Sequence, residues 1–297
     1  MRGRASHRRV ALAALSFVVL AVGLVQLTAS PHRWFVALLA PAVVLGITRR
    51  YVRAFVPFGL LLLAYEWLRT GAHRINPEAY YLPQIRADEA IGLGTVPSVR
   101  LQGWLWDGPP RGTFEDALSF IHSLHLAVVL VVLFCVLAVS QRAYVQAAVA
   151  FLATAFAAVI GFVLLPAAPP WLAAQQGLIG PLTRIREVGR PPGAPGALTR
   201  LFDDNQVAAI PSLHAGWSMM VVLVIHRQFP RLTPLAIAYW LTQQFAVVYL
   251  GEHYVIDLVI GDVLAIGVWL AVGRLSQRPT ERAIRISSAF GSSDSSR

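Results

Sequence analysis

The chemistry legible in this chain lies in two short stretches. One is Pro211-Ser212-Leu213-His214-Ala215-Gly216-Trp217; the other is Tyr249-Leu250-Gly251-Glu252-His253-Tyr254-Val255-Ile256-Asp257. Each sets a histidine where an apolar run meets a polar segment. Imidazole titrates near neutral pH, so it can serve as nucleophile, acid or base. His253 and Asp257 stand at i and i+4, the helical spacing at which a carboxylate can orient an imidazole. Two imidazoles and one carboxylate suffice for covalent phosphoryl chemistry that needs neither a metal nor another cofactor. A lone histidine of this kind is more often a polar residue satisfied at an interface. A pair with an aspartate in register is harder to explain that way.

The elements that must position these groups are apolar. The 297 residues are 56% hydrophobic and 13% charged, against about 25% charged in soluble domains, and mean hydropathy is +0.59. A membrane helix needs about 20 apolar residues. Eight candidate spans are legible, at 10–28, 34–48, 54–68, 115–139, 144–165, 211–226, 232–250 and 256–272. The second and third are short, which predicts tilt or partial insertion. The expected fold is all-α, a polytopic membrane helical bundle of about eight spans. Residues 1–9 form a basic cytoplasmic N-terminus, 10–272 a single membrane domain, and the Ser- and Arg-rich 273–297 a disordered cytoplasmic tail. The start also resembles a signal peptide, but Pro31 after Thr28-Ala29-Ser30 disfavours cleavage, so 10–28 is read as a retained first span. Cys135 is the one cysteine and lies in an apolar run, so no internal disulfide and no cysteine zinc site is expected. No internal repeat is evident.

Formal net charge is +10, carried by 25 arginines and no lysine, scattered between apolar runs rather than gathered in one basic patch. That pattern does not predict a nucleic-acid partner. With both termini inside, segments 1–9, 49–53, 140–143, 227–231 and 273–297 hold 15 arginines. The remaining 10 lie in outer segments about twice as long, so the positive-inside rule sets this orientation. Both histidine stretches then face the extracytoplasmic side of the cell membrane. No ATP is available there, so the reaction is hydrolysis or a transfer driven by a donor lipid.

Two outer segments are long. Residues 69–114 carry Tyr80, Tyr81, Trp104 and Trp106 among prolines and glycines, as an amphipathic segment on the outer leaflet would; it either admits lipid or merely caps the bundle. Residues 166–210 hold Pro166-Ala167-Ala168-Pro169-Pro170-Trp171 and then Arg184, Arg186, Arg190 and Arg200. A lateral opening for lipid is expected near Trp171 and Trp217.

At these residues the chain resembles the type 2 phosphatidic acid phosphatase superfamily, and within it the branch of inositol phosphorylceramide synthase. The superfamily has a Pro-Ser-x-His block and a later His-x-x-x-Asp block, matched by Pro211-Ser212-Leu213-His214 and by His253 through Asp257. The branch tends to carry a turn ending Pro-Pro-Trp, matched at Pro169-Pro170-Trp171. The likeness covers most of residues 60–265. It implies a core of six spans and a double displacement. His253 would attack phosphorus, Asp257 would hold its imidazole, and His214 would protonate the departing oxygen and deprotonate the incoming one. Ser212 would cap a helix or bind phosphate, and Trp171, Arg184 and Arg190 would bind substrate.

Two departures stand out. The superfamily's first block spans Lys to Arg-Pro with six residues between the cations; the nearest match here runs from Arg184 to Arg190-Pro191 with five between. The third block opens with Ser-Arg where this chain has Ala246 and Val247. A missing clamp suits the single charge of a diester better than the near-double charge of a monoester.

The leading expectation is a lipid phosphotransferase, moving phosphoinositol or a similar head group to a hydroxyl acceptor. A phosphatase acting on polyprenyl phosphate, phosphatidate or phosphatidylglycerol phosphate is the alternative. A transporter or scaffold without activity is a third reading, which the intact His214, His253 and Asp257 disfavour. The bilayer and a phospholipid or polyprenyl lipid are the expected partners. Glu252 reads as a solvated neighbour, and Asp203 and Asp204 as part of a turn. Asp262 is a span carboxylate in need of a partner, and Glu66–Arg69 an i, i+3 ion pair. His122 and His125, a turn apart with Glu115 and Asp116 upstream, read as hydrogen-bonded near the floor of the site rather than as metal ligands.

Overall fold

The computed structural model describes residues 38–189 and 207–290, with side chains to residue 276. The first expected span, Arg190, Arg200, Asp203 and Asp204 lie outside the described residues. Among the described residues the fold is helical, with no strand beyond two isolated bridges. In chain order the helices are α1 Leu39–Val44, α2 Thr48–Ile75, α3 Leu82–Ile91, α4 Pro97–Leu105, α5 Thr113–Ser123, α6 His125–Val139, α7 Gln141–Leu164, α8 Pro170–Gln175, α9 Leu213–Gln228, α10 Thr233–Tyr249 and α11 Val255–Phe290.

Hydropathy and length single out α2, α7 and the stretch of α11 from Val255 to Ser276 as helices able to cross a bilayer; α5 and α6 are long and apolar enough only together, as a bent pair that makes either a broken span or a re-entrant loop. Two differences from the expected spans follow. Residues 38–48 are no continuous helix: α1 has six residues and Gly46, at φ +68°, turns the chain into α2. The expected span 115–139 is two helices bent by 50° around Leu124. Helices α9 and α10 have 16 and 17 residues, about 24–26 Å at ~1.5 Å per residue, short of a ~30 Å hydrocarbon core. In addition, residues 273–290, expected to begin an unordered tail, continue α11 as helix.

The bend has a local cause. The His125 ring Nδ1 lies 3.3 Å from the carbonyl of His122, and the N–H of Leu124 is shared between the carbonyls of Phe120 and Ile121. A side chain inserted into the ladder in this way is a recognised source of kinks.

Helix α9 is the centre of the bundle and packs against α6, α7, α10 and α11. Trp217, Met220, Val221 and Val224 are all buried, so its sides are apolar nearly all round. The core it shares contains Phe55, Leu133 and Phe151. Small residues set its closest contacts. A Cβ on Gly261 of α11 would collide with the Ser212 carbonyl oxygen, and one on Gly216 would come within 3.0 Å of the Gly261 carbonyl oxygen. A Cβ on Gly161 of α7 would come within 2.5 Å of Pro211 Cδ. The start of α9 is thus wedged between α7 and α11.

At the same end, the connecting segments fold over the bundle as a cap. Tyr80 donates its N–H to the Pro166 carbonyl at 2.8 Å and accepts from Ala168 at 3.0 Å, while Ala209 donates to Ala167 at 3.3 Å. The span carboxylate Asp262 has the partners it requires in Trp240 Nε1 at 3.2 Å and Gln244 Nε2 at 2.8 Å. Glu66 and Arg69 pair at 3.0 Å.

Candidate active site

Helix α9 opens at Pro211-Ser212. Ser212 is the N-cap: its hydroxyl accepts from Ala215 N–H at 3.4 Å and its own N–H donates to the Asp257 carbonyl at 3.1 Å. The start of α9 is therefore tied to the start of α11. His214, in the first turn, enters the interior at this junction.

The second stretch does not form the single helix face that its i, i+4 spacing predicts. Helix α10 ends at Tyr249, Gly251 turns the chain at φ +80°, and α11 begins only at Val255. His253 precedes the helix, and its N–H and that of Glu252 both donate to the Val247 carbonyl, at 3.2 and 3.0 Å. Asp257, at the third helical position, accepts the Tyr254 N–H at 3.0 Å, half of a capping box. The same oxygen, Oδ2, lies 3.3 Å from His253 Nδ1. The pair meets across a helix start, and both residues are buried.

The three side chains form one line. Nε2 of His253, the nitrogen turned away from Asp257, is 3.3 Å from Nδ1 of His214. Carboxylate, imidazole and imidazole thus follow one another, and a group entering between the two rings would meet a nitrogen on each side.

Two arginines flank the line. Arg184 forms a forked ion pair with Glu252 at 2.9 and 3.1 Å, and Arg186 approaches the same carboxylate at 3.4 Å. Arg184 also lies over the Trp171 ring, 4.5 Å from its centroid. Glu252 is therefore not the solvated neighbour expected; it is 8% exposed and bound to both arginines beside the nucleophile candidate. Trp171 and Trp217, expected to border a lateral opening, are both buried, and Trp217 donates to the Phe151 carbonyl at 3.2 Å inside the core.

Several groups that hold the site carry no sequence motif. Gln102 of α4, 5% exposed, accepts from Thr183 N–H at 2.9 Å and donates to the carbonyls of Thr183 and Tyr249, both at 2.8 Å. One amide thereby joins the arginine loop to the end of α10. Asp88 of α3 is fully buried and accepts the N–H groups of Val255 and Ile256 at 2.9 and 3.0 Å. Burial pushes its carboxyl up to about 6, against the downward pull of those two N–H bonds and with the Asp257 charge adding to the rise. Glu115 caps α5 through Gly112 N–H at 2.9 Å and accepts from Tyr249 OH at 2.8 Å. A polar residue inside an otherwise apolar helix face is the one signal sequence offers for such groups.

His122 and His125 also reach the site. Each ring centroid is 4.4 Å from that of His214. Among the described residues no group of three or more His, Cys, Asp or Glu is arranged to hold a metal ion.

The family model described as the PAP2 superfamily matches residues 85–271, which include Asp88, Gln102, Arg184, His214, His253 and Asp257. The inositol phosphorylceramide synthase catalytic subunit of Schizosaccharomyces pombe is 34% identical over 136 residues, 40% of this chain and 31% of the relative. Its counterpart in Saccharomyces cerevisiae is 35% identical over 114 residues, 34% of this chain and 27% of the relative. The chain thus spans about three tenths of the fungal relatives' length. The phosphoinositol dihydroceramide synthase of Bacteroides thetaiotaomicron is 25% identical over 258 residues, 75% of this chain and 77% of the relative. No solved structure matches the chain.

Proposed function

The chain belongs to the PAP2 superfamily, and from that premise we propose that it transfers a polar head-group phosphate, phosphoinositol or one like it, from a donor phospholipid to a hydroxyl acceptor. It is a membrane enzyme that acts on lipid phosphates. The relatives' names support the head group. The observation that carries the reading is the Asp257–His253–His214 line, with 3.3 Å at each junction.

In the first half-reaction His253 Nε2 attacks phosphorus, a P–N bond forms and the bond to the donor's alkoxide breaks. His214 gives its proton from Nδ1 to that oxygen. Asp257 fixes the reactive tautomer, accepting from Nδ1–H, and balances the cation on the phosphorylated ring. In the second half the acceptor hydroxyl loses its proton to His214, its oxygen bonds to phosphorus and the P–N bond breaks. His253 is restored and the protons balance. Arg184 and Arg186 lie beside this path. With Glu252 already on both arginines, and Ala246 and Val247 supplying no cation, a singly charged diester suits the site better than a dianionic monoester. The arginine asymmetry supports an extracytoplasmic site, where a donor lipid takes the place of ATP.

The test uses purified protein with labelled phosphatidylinositol and a long-chain alcohol, and in parallel a labelled lipid monoester. A new phospholipid supports transfer. Free phosphate from the monoester, without transfer, replaces it with a phosphatase. Wild type indistinguishable from His253→Ala in both assays removes the enzymatic reading.

A further inference from the structure

The proposed reaction uses two of the four imidazoles gathered at the site. His125 is committed to structure: its Nδ1 lies on the His122 carbonyl at 3.3 Å and its ring stacks on Trp217 with centroids 5.9 Å apart. His122 is different. It is 5% exposed, and its Nε2 is buried with no partner. The Nε2 of His214 is buried and unpartnered as well, and the two rings lie 4.4 Å apart at 32°. A buried ring nitrogen without a hydrogen bond keeps the cost of its lost hydration. Two such nitrogens on touching rings mark a place built for something else to bond.

The surroundings say what that is. His122 lies within electrostatic reach of Arg186, Arg184 and His253. An anion drawn to the arginines and attacked by His253 would therefore lie beside the His122 ring. Ala246 and Val247, where the superfamily pattern has Ser-Arg, are fully buried in the apolar packing and bring no donor.

We propose that His122 is a phosphoryl-binding residue, donating Nε2–H to a non-bridging oxygen of the transferred phosphate and standing in for the missing cationic clamp. A neutral N–H donor stabilises charge building on that oxygen without adding a full positive charge, in keeping with a phosphodiester monoanion. The inference rests on the proposed phosphoryl transfer. The kink at Leu124 serves it, because the bend brings His122 and His125 together against His214.

The experiment compares His122→Gln, which keeps an N–H donor, with His122→Met, of nearly the same volume but no donor. Both are scored for lipid turnover and for binding of orthovanadate, with inorganic phosphate as competitor. His122→Met is expected to bind vanadate about tenfold more weakly and to lower kcat by roughly 10–100-fold, below the larger losses of a full oxyanion-hole donor. His122→Gln is expected to recover most of both, at equal thermal stability. Equal behaviour of the two variants, or a His122→Met that binds vanadate as wild type does, overturns the assignment while leaving the transfer reaction standing. A wild type that neither turns over lipid nor binds vanadate overturns both. His122→Leu replaces the Met variant if the latter does not accumulate.

Discussion

Asp88 accepts the backbone N–H of Ile256 at 3.0 Å across 168 positions of sequence, with the neighbouring Val255 N–H on its other oxygen. A side chain from the cap thus fixes the first turn of the helix that bears Asp257. Replacing it with alanine leaves two buried donors unpaired, and Asp88→Ala should cost about 1–2 kcal/mol, the scale of a lost helix cap. Its pH signature has a definite sign. The folded carboxyl is raised to about 6 from 3.8, so the fold binds this proton more tightly than the unfolded chain does. Stability tied to it is complete below about pH 4 and is lost as pH rises to about 6. Melting temperature in detergent between pH 4 and 7 should show this decline in wild type and a flatter profile in Asp88→Ala.

Gly261→Ala and Gly267→Ala form a matched pair on one helix. A Cβ at Gly261 collides with the Ser212 carbonyl, whereas nothing lies within 4 Å of one at Gly267. The first change should cost about 1–3 kcal/mol, as overpacking does, and depress turnover by prising α9 from α11. The second should be neutral or stabilise by up to ~1 kcal/mol, because alanine favours helix over glycine. Melting curves with parallel activity assays decide it; equal effects would contradict the close approach of α9 to α11.

Arg184→Lys keeps the charge and loses both the fork onto Glu252 and the planar stack over Trp171. Lysine cannot reproduce either contact. kcat/KM should fall about tenfold, the equivalent of one charge-assisted hydrogen bond of ~1.4 kcal/mol. A lysine variant with wild-type kinetics would show that charge alone matters there.

His253→Ala should abolish turnover, since it removes the nitrogen on which the proposed P–N bond forms. His214→Ala should retain a residue, slower by roughly 10²–10⁴-fold. Quenching with labelled donor should trap an acid-labile, alkali-stable phosphoprotein in wild type and none in His253→Ala. A label that persists in His253→Ala would place the nucleophile elsewhere.

The two histidine stretches were legible in the sequence because their chemistry is local: a capped helix start at Ser212 and a His-to-Asp interval of four. The structure brings the two residues of that interval together but not on one helix face, since Gly251 delays the helix until Val255 and the pair meets through a turn. The long apolar helices α2 and α7 were visible as hydropathy, although α2 extends well beyond 54–68 at both ends. The break at Leu124 was not visible, because it depends on the His125 ring competing for a carbonyl. Asp88, Gln102 and the Arg184–Glu252 pair were hidden for a different reason. Their contacts join residues 68 to 168 positions apart, and only the folded connectors bring them together.

Gln102 is an uncharged strap between the arginine loop and the end of α10. Dissolved salt weakens the pull of Arg184 and Arg186 on an arriving anion but has little hold on an amide bonded to three backbone groups. Ionic strength should therefore act on the protein's affinity for lipid well before it acts on its melting point, and the two curves should part company as salt is raised.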